Sequence, residues 1–308
     1  MKVLVTGGGG FIGCHLVERL LRDGHNVRVL DNFATGRREN LVGLLDDVEL
    51  VEGDMQSYER VHTAVRGCEL VLHQAALPSV PRSVQDPLTS NASNVTGTLN
   101  VLLASRDEGV KRVVFASSSS IYGANPELPK HEDLIPLPIS PYAVAKLAGE
   151  GYCRSFHEVF GLETVSLRYF NVFGPRQDPL SQYAAVIPNF ITALLAGERP
   201  VVYGDGEQSR DFTYVENVVE GNLLAMMSEG VGGRLYNLAA GKRLSLNDLL
   251  GQLRALTGNE TEARYEATRL GEVRHSQADV SRAERELGFR PPISVEEGLR
   301  RTLAWYER

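Results

Sequence analysis

The chain has 308 residues, 43% of them hydrophobic and 23% charged. That balance excludes a disordered or fibrous chain, and the length suits about two domains. The net charge of −7 argues against a nucleic-acid partner, which calls for a basic face, but leaves small anionic ligands open.

Residues 2–6 are a β-branched-rich run consistent with a buried parallel strand. It leads straight into Gly7, Gly8, Gly9 and Gly10, then Phe11, Ile12 and Gly13, and an amphipathic stretch to about Asp23. A start this short before the glycines leaves no room for a signal peptide or membrane span, so no membrane partner is expected. Strand, glycine turn and helix let a backbone approach a pyrophosphate closely, with Gly7, Gly10 and Gly13 at the close positions. Residues 26–30 form the next strand, ending at Asp31. An acid about twenty residues past the glycines can accept bonds from an adenosine ribose, and it repels a 2′-phosphate, favouring NAD over NADP.

Residues 48–52 and 69–73 read as the third and fourth strands. Asp54, after the third, is either a bond to an adenine amino group or a turn-capping aspartate. His73 reads as structural, because no second residue has metal-ligand spacing. The small residues Ala75 and Ala76 follow, then a loop, 77–83, at the strand's carboxyl end, where doubly wound sheets place ligands. Residues 86–109 are expected as one long helix with Asn94 and Thr98 on a stripe. Residues 112–116 are a fifth strand ending in Ser117, Ser118, Ser119 and Ser120, whose hydroxyls face the same crevice. Ser140 and Pro141 then start a helix.

That helix carries Tyr142 and Lys146, four residues apart and so one turn apart on one face. A cation there stabilises a phenolate, which would let the tyrosine act as a base far below its usual pKa of about 10. Residues 164–168 are a sixth strand. Beyond it lie helices near 186–197, 215–228, 246–257 and 295–306, and short strands at 201–203 and 234–238. The expected architecture is α/β: a Rossmann-like doubly wound parallel sheet, with a smaller mixed α/β domain over its carboxyl edge. Residues 1–170 form the cofactor domain, with segments near 211–240 returning to it, and 171–308 mainly the substrate domain. Cys14, Cys68 and Cys153 are scattered and read as buried, reduced thiols, which sets the cytoplasm as the expected location.

Together, the glycine turn, Asp31-Asn32, His73-Gln74-Ala75-Ala76, Asn94 to Thr98, the serine run, Tyr142 with Lys146, and Arg168-Tyr169-Phe170-Asn171 resemble the extended short-chain dehydrogenase/reductase family. Gly204-Asp205-Gly206, Arg210-Asp211-Phe212, and Arg269 with Gly271-Glu272 extend the resemblance through the second half. The chain looks most like its NAD-dependent nucleotide-sugar epimerases, of the UDP-galactose 4-epimerase type.

The resemblance implies that Tyr142 is base and acid at the sugar O4, that Lys146 bonds the nicotinamide ribose, and that Ser118 helps the proton move. It implies NAD held by Gly7, Gly10, Phe11, Ile12, Gly13, Asp31, Asn32, Asp54, Met55, Ala75, Ala76, Asn94, Ser117, Tyr142, Lys146 and Tyr169. It implies a UDP-sugar held by Ser79, Ser118, Ser119, Asn171, Ala185, Val186, Tyr203, Arg210, Arg269, Glu272 and Ser276, with no metal. The two arginines suit phosphates because their planar forks match phosphate oxygens. The serine run holds no Asp-Glu pair, which sets aside a 4,6-dehydratase. Ser276 stands where enzymes restricted to non-acetylated sugars carry tyrosine, which implies room for a 2-acetamido group. A UDP-glucuronate 4-epimerase or decarboxylase, and an NAD-binding regulatory protein without turnover, remain alternatives. The family's helix pairing implies a homodimer.

Overall fold

The computed structural model describes residues 1–179, 185–268 and 273–308. Seven parallel strands form its central sheet. The first six are β1 (Lys2–Thr6), β2 (Asn26–Asp31), β3 (Val48–Glu52), β4 (Leu70–His73), β5 (Arg112–Ser118) and β6 (Glu163–Tyr169). The short strands β7 (Val172–Phe173), β8 (Val201–Tyr203), β9 (Ser209–Arg210) and β10 (Thr213–Tyr214) follow outside the sheet, and β11 (Leu235–Leu238) returns to it. The strand order is β11-β6-β5-β4-β1-β2-β3. The order reverses between β1 and β4, and the crevice at such a reversal is where open α/β sheets bind ligands.

Alternation within the strands builds two cores. Val3 and Val5 of β1 face one side, with Leu72, Val114 and Leu167, against α1 (Phe11–Arg22). Leu4, Val71, Val113 and Phe115 face the other, against α2 (Tyr58–Val65). Burial on both faces is the reason these strands read as near-continuous apolar runs.

The expected long helix over 86–109 is interrupted. Helices α3 (Val80–Gln85) and α4 (Pro87–Asn91) lead into a π-helical turn, Ala92–Thr96, before α5 (Gly97–Asp107) begins. Asn94 supplies a physical reason: it accepts a bond from Leu77 N at 2.8 Å and donates to Leu77 O at 3.0 Å. The wide turn sets this amide against the loop instead of along the helix.

Helix α6 (Pro141–Phe160) starts cleanly. The Ser140 side chain accepts from Ala143 N, Pro141 occupies the first turn, and Gly161 closes the helix in the left-handed conformation. Past β6, α7 (Val186–Leu195), α8 (Val215–Met227), α9 (Leu246–Thr257), α10 (Ser281–Leu287) and α11 (Val295–Tyr306) complete the helices. Strand β12 (Leu244–Ser245) pairs with β9, and β13 (Arg264–Glu266) with β8. A third core of Phe173, Ile187, Phe190, Phe212, Leu249, Leu253 and Leu299 holds this second region. The division at residue 170 is therefore not a clean cut. α8 packs on α1 and on the sheet, and β11 is the sheet's edge strand beside β6. No helix of the described residues is long and apolar enough to cross a membrane.

Candidate active site

Two adjoining cavities lie at the carboxyl ends of the strands. The larger, about 720 Å³, is lined by the glycine turn, by the ends of β2, β4 and β5, and by Tyr142 and Lys146. The smaller, about 260 Å³, is lined by Asn171, Phe173, Val186, Tyr203, Arg210 and Phe212. Ala185 lines both.

The glycine turn exists because no side chain fits it. A Cβ on Gly13 would lie 2.0 Å from Gly7 O, and one on Gly7, at φ +70, would lie 2.8 Å from the Ala75 backbone. Gly10 caps α1 with no side-chain hydrogen bond, so the first N–H groups of the helix face the cavity without a side-chain acceptor. Such an end binds pyrophosphate. Asp31 lines the cavity beside it. Its Oδ2 accepts from Gly9 N and its Oδ1 from Phe33 N, each at 2.8 Å. Asp31 thus first shapes the turn, and its remaining lone pairs are what it offers a ribose. Burial pushes its carboxyl pKa up. This cradle, helix end and acid fit a dinucleotide.

Phe11, Ile12, Asn32, Asp54, Met55, Ala75, Ala76 and Ser79 also line the large cavity. Asn32 Nδ2 donates to Asp54 Oδ2 at 2.9 Å, joining two of the expected adenine-side residues. Tyr169 presents its ring to the cavity, but its hydroxyl is tied to Gln74 and Asn222. Asn94 is buried and spends its amide on Leu77, so it shapes the loop and does not form the cavity wall. Ser117 reaches the wall, yet its Oγ donates to Glu150 Oε1 at 2.5 Å. His73 is structural, and a chain of bonds fixes its tautomer. Its Nδ1 faces Thr6 Oγ1 at 2.7 Å, and its Nε2 faces Thr98 Oγ1 at 3.0 Å. Burial pushes its pKa down to about 3, so it is neutral.

Tyr142 is partly buried, its N–H donating to Ser83 Oγ at 3.1 Å. Ser118 lies near enough to the Tyr142 side chain to lower its pKa, and its own Oγ accepts from Ser120 N. Lys146 is buried, and its Nζ donates to Ala116 O at 2.7 Å. The sequence expectation is that the Lys146 cation favours the Tyr142 phenolate. Burial pushes Tyr142 up to about 12, and the neighbouring Ser118 is the influence that lowers it. Lys146 Nζ lies 5.9 Å from the Tyr142 ring centroid. Burial also draws Lys146 down to about 8.

In the smaller cavity Asn171 holds φ +31, and its Nδ2 donates to Asp211 O at 3.2 Å. Arg210 donates to Ser209 O and Arg274 O, each at 3.0 Å. Ser119 lies in the turn after β5, away from either cavity wall. Ser276 pairs its N–H with Ser209 O at 3.0 Å, beside Arg210, and likewise lines neither cavity. Arg269 and Glu272 lie outside the described residues.

Sequence reasoning missed Thr35, Gly36 and Arg37, which also line the large cavity, as do Gln177 and Asp178, which the sequence carried only as part of the family resemblance. Gly36 was the available signal: a Cβ there would lie 2.9 Å from Gly9. Asn189 and Gln208 of the smaller cavity carried no sequence signal. No group of three His, Cys, Asp or Glu among the described residues could hold a metal ion.

A family model described as the NAD dependent epimerase/dehydratase family matches residues 3–239. The structure is similar to UDP-N-acetylglucosamine 4-epimerase from Methanobrevibacter ruminantium M1, solved with UDP-N-acetylmuramic acid. The two are 42% identical with a TM-score of 0.95, over 99% of this chain and 98% of that one. It is similar to UDP-glucose 4-epimerase from Thermotoga maritima, solved with UDP-glucose, at 38% identity and a TM-score of 0.95, over 100% and 99% of the chains. UDP-glucose 4-epimerase of Mycolicibacterium smegmatis is 38% identical over 99% of this chain and 98% of its own length.

Proposed function

Because the chain belongs to the NAD-dependent epimerase/dehydratase family, we propose that it is a UDP-sugar 4-epimerase. In this reading it accepts both UDP-glucose/UDP-galactose and the N-acetylated pair, UDP-GlcNAc/UDP-GalNAc. The observation that carries the reading is the junction of the two cavities. A dinucleotide cradle and a proton-transfer pair share one wall, and a second cavity with Asn171 and Arg210 meets it at Ala185.

The glycine turn and Asp31 hold the cofactor, and Lys146 serves its nicotinamide ribose. NAD bound there would supply reversible hydride transfer at C4 and would leave each turnover in the form in which it entered. Tyr142 removes the O4 proton as the hydride leaves and gives it back at the end. Ser118, beside Tyr142, carries that proton between O4 and the phenol. Arg210 and Asn171 hold the diphosphate and the smaller cavity holds the uracil, so the nucleotide stays fixed while the keto sugar turns over.

A panel of UDP-sugars assayed with purified protein tests this, with bound cofactor identified after denaturation. Interconversion of both pairs is expected. Release of carbon dioxide from UDP-glucuronate, or its conversion to UDP-galacturonate, without turnover of either pair overturns it. Ser276→Tyr should remove turnover of the acetamido pair alone. Equal loss for both pairs, or no change, removes Ser276 from the account of specificity.

The same reading includes a homodimer. Val144, Val159 and Phe160 on α6 are exposed, as are Val84 on α3 and Leu88 on α4, which pack against α6. Exposed apolar side chains on neighbouring helices are the kind of surface a two-fold interface covers. A monomeric mass by light scattering would remove the dimer from the proposal.

A further inference from the structure

The face of α6 that carries Tyr142 and Lys146 continues one turn further to Glu150. Three consecutive residues of β5 meet this stripe. Lys146 Nζ donates to Ala116 O at 2.7 Å, Ser117 Oγ donates to Glu150 Oε1 at 2.5 Å, and Ser118 neighbours the Tyr142 side chain closely enough to lower its pKa. Gly149 permits the close approach, since a Cβ there would lie 2.4 Å from the Phe115 ring.

Glu150 is also gripped from β6. Arg168 Nε donates to its Oε1 at 2.9 Å and Nη2 to its Oε2 at 2.7 Å, a two-pronged pair with both side chains buried. Arg168 Nη1 continues to Tyr122 Oη at 2.9 Å, and Tyr122 Oη donates to Asn237 Oδ1 at 2.8 Å. A buried ion pair is a weak source of stability, because desolvation offsets most of the attraction, and well-packed apolar groups often do as well. Its better-attested use is to fix register.

We propose that Glu150 is a positioning residue for the epimerase reaction, locking the catalytic helix to β5 and placing one negative charge a turn away from Lys146. The proposal rests on the assignment of Tyr142 and Lys146 above. Through Ser117, Glu150 fixes the end of β5 and so the Ser118 hydroxyl that serves Tyr142. Through its charge, it helps Lys146 stay an ammonium in a site whose burial works against one. The other groups facing Lys146 are few. On α6 they are Tyr142 and Cys153, a thiol that burial pushes up to about 12. On β4 there is neutral His73, on β5 the Phe115 ring 5.0 Å away, and on β6 Arg168 behind Glu150.

The test uses Glu150→Gln and the double variant Glu150→Gln/Arg168→Met in the full chain. Glu150→Gln should keep NAD and leave KM within about twofold. It should lower kcat by about 10- to 100-fold, the cost of a small misplacement of reacting groups. Removing the carboxylate lowers the Lys146 pKa, so the alkaline limb of the kcat profile should move down by about one pH unit. A carbon-13 titration of the lysine side chains, with Lys146 assigned by Lys146→Met, should show the same shift without any substrate. In the double variant the lost charges cancel, so the limb should return while kcat stays at least about tenfold low.

An unmoved Lys146 titration in Glu150→Gln overturns the electrostatic part. A wild-type kcat in the folded double variant overturns the positioning part. If Glu150→Gln does not fold, the double variant decides by its kcat. If the wild-type protein turns over no UDP-sugar, the functional reading fails, while the lysine titration still decides whether Glu150 acts on Lys146.

Discussion

The cofactor region and the substrate region are held together differently. The first rests on parallel strands of four to seven residues, the central ones buried on both faces and the edge strand β3 only half-buried. The second rests on strand pairs of two or three residues and an aromatic and aliphatic core. Its backbone is tied by single side chains. Asp211 accepts from Ala240 N at 3.0 Å and Ala278 N at 3.1 Å, and its own carbonyl accepts from Asn171. In the proposed reading, the chemistry would sit on the over-determined sheet, and recognition where one substitution can reshape a wall without unfolding the protein.

The sharpest way to break this contrast is to remove the chemistry while leaving the scaffold intact. Tyr142→Phe should lower kcat by about 10³- to 10⁴-fold, with the NAD content of the purified protein unchanged. Turnover near the wild-type rate would move the base elsewhere. The second test attacks the scaffold. Gly13→Ala places a Cβ 2.0 Å from Gly7 O. Overpacking by about 1–3 kcal/mol should weaken NAD binding by about 10- to 100-fold, read by calorimetry, and a normal NAD affinity would show that the turn yields.

A third test uses pH. Lys146 falls from 10.5 to about 8 on burial. Below pH 8 both folded and unfolded chains hold the proton, and between 8 and 10.5 only the unfolded chain does, so this lysine makes stability rise with pH across that window. The gain is roughly 3 kcal/mol relative to Lys146→Met, measured by denaturant midpoints at pH 7.5 and 10. Parallel curves for the two proteins would remove the effect. The smallest expected change lies in the substrate region. Asp211→Asn turns an amide toward two backbone donors, at about 1–3 kcal/mol. It should raise KM for the UDP-sugar by about tenfold and leave NAD retention alone, whereas loss of NAD would show that the two regions are not separable in this way.

The same contrast explains what could be read from sequence. Gly7, Gly10, Gly13 and Asp31 were legible because a close backbone approach leaves almost no choice of residue. The strands were legible because both faces are buried. The π-helical turn at 92–96 was not, since Asn94 is pulled by Leu77, 17 positions away, and local periodicity holds no trace of that. Ser117, named as a cofactor contact through the resemblance, does line the large cavity, while its hydroxyl turns toward Glu150, a partner 33 positions on that no local pattern reveals. The pairs β7 with β10 and β9 with β12 are two residues long, too short for an alternation to register.

The position of β11 bears on how the protein can be made and divided. A ribosome finishes six strands of the sheet by residue 169 and must then synthesise the small cavity's first wall, β8, β9 and α8 before the seventh strand, 235–238, emerges. Until then β6 is an open edge, with unpaired backbone groups beside Arg168 and Tyr169. Nascent chains stopped between residues 170 and 234 therefore expose that edge to edge-to-edge aggregation. A stand-alone cofactor fragment would have to carry 235–238 on a shortened linker to close the sheet.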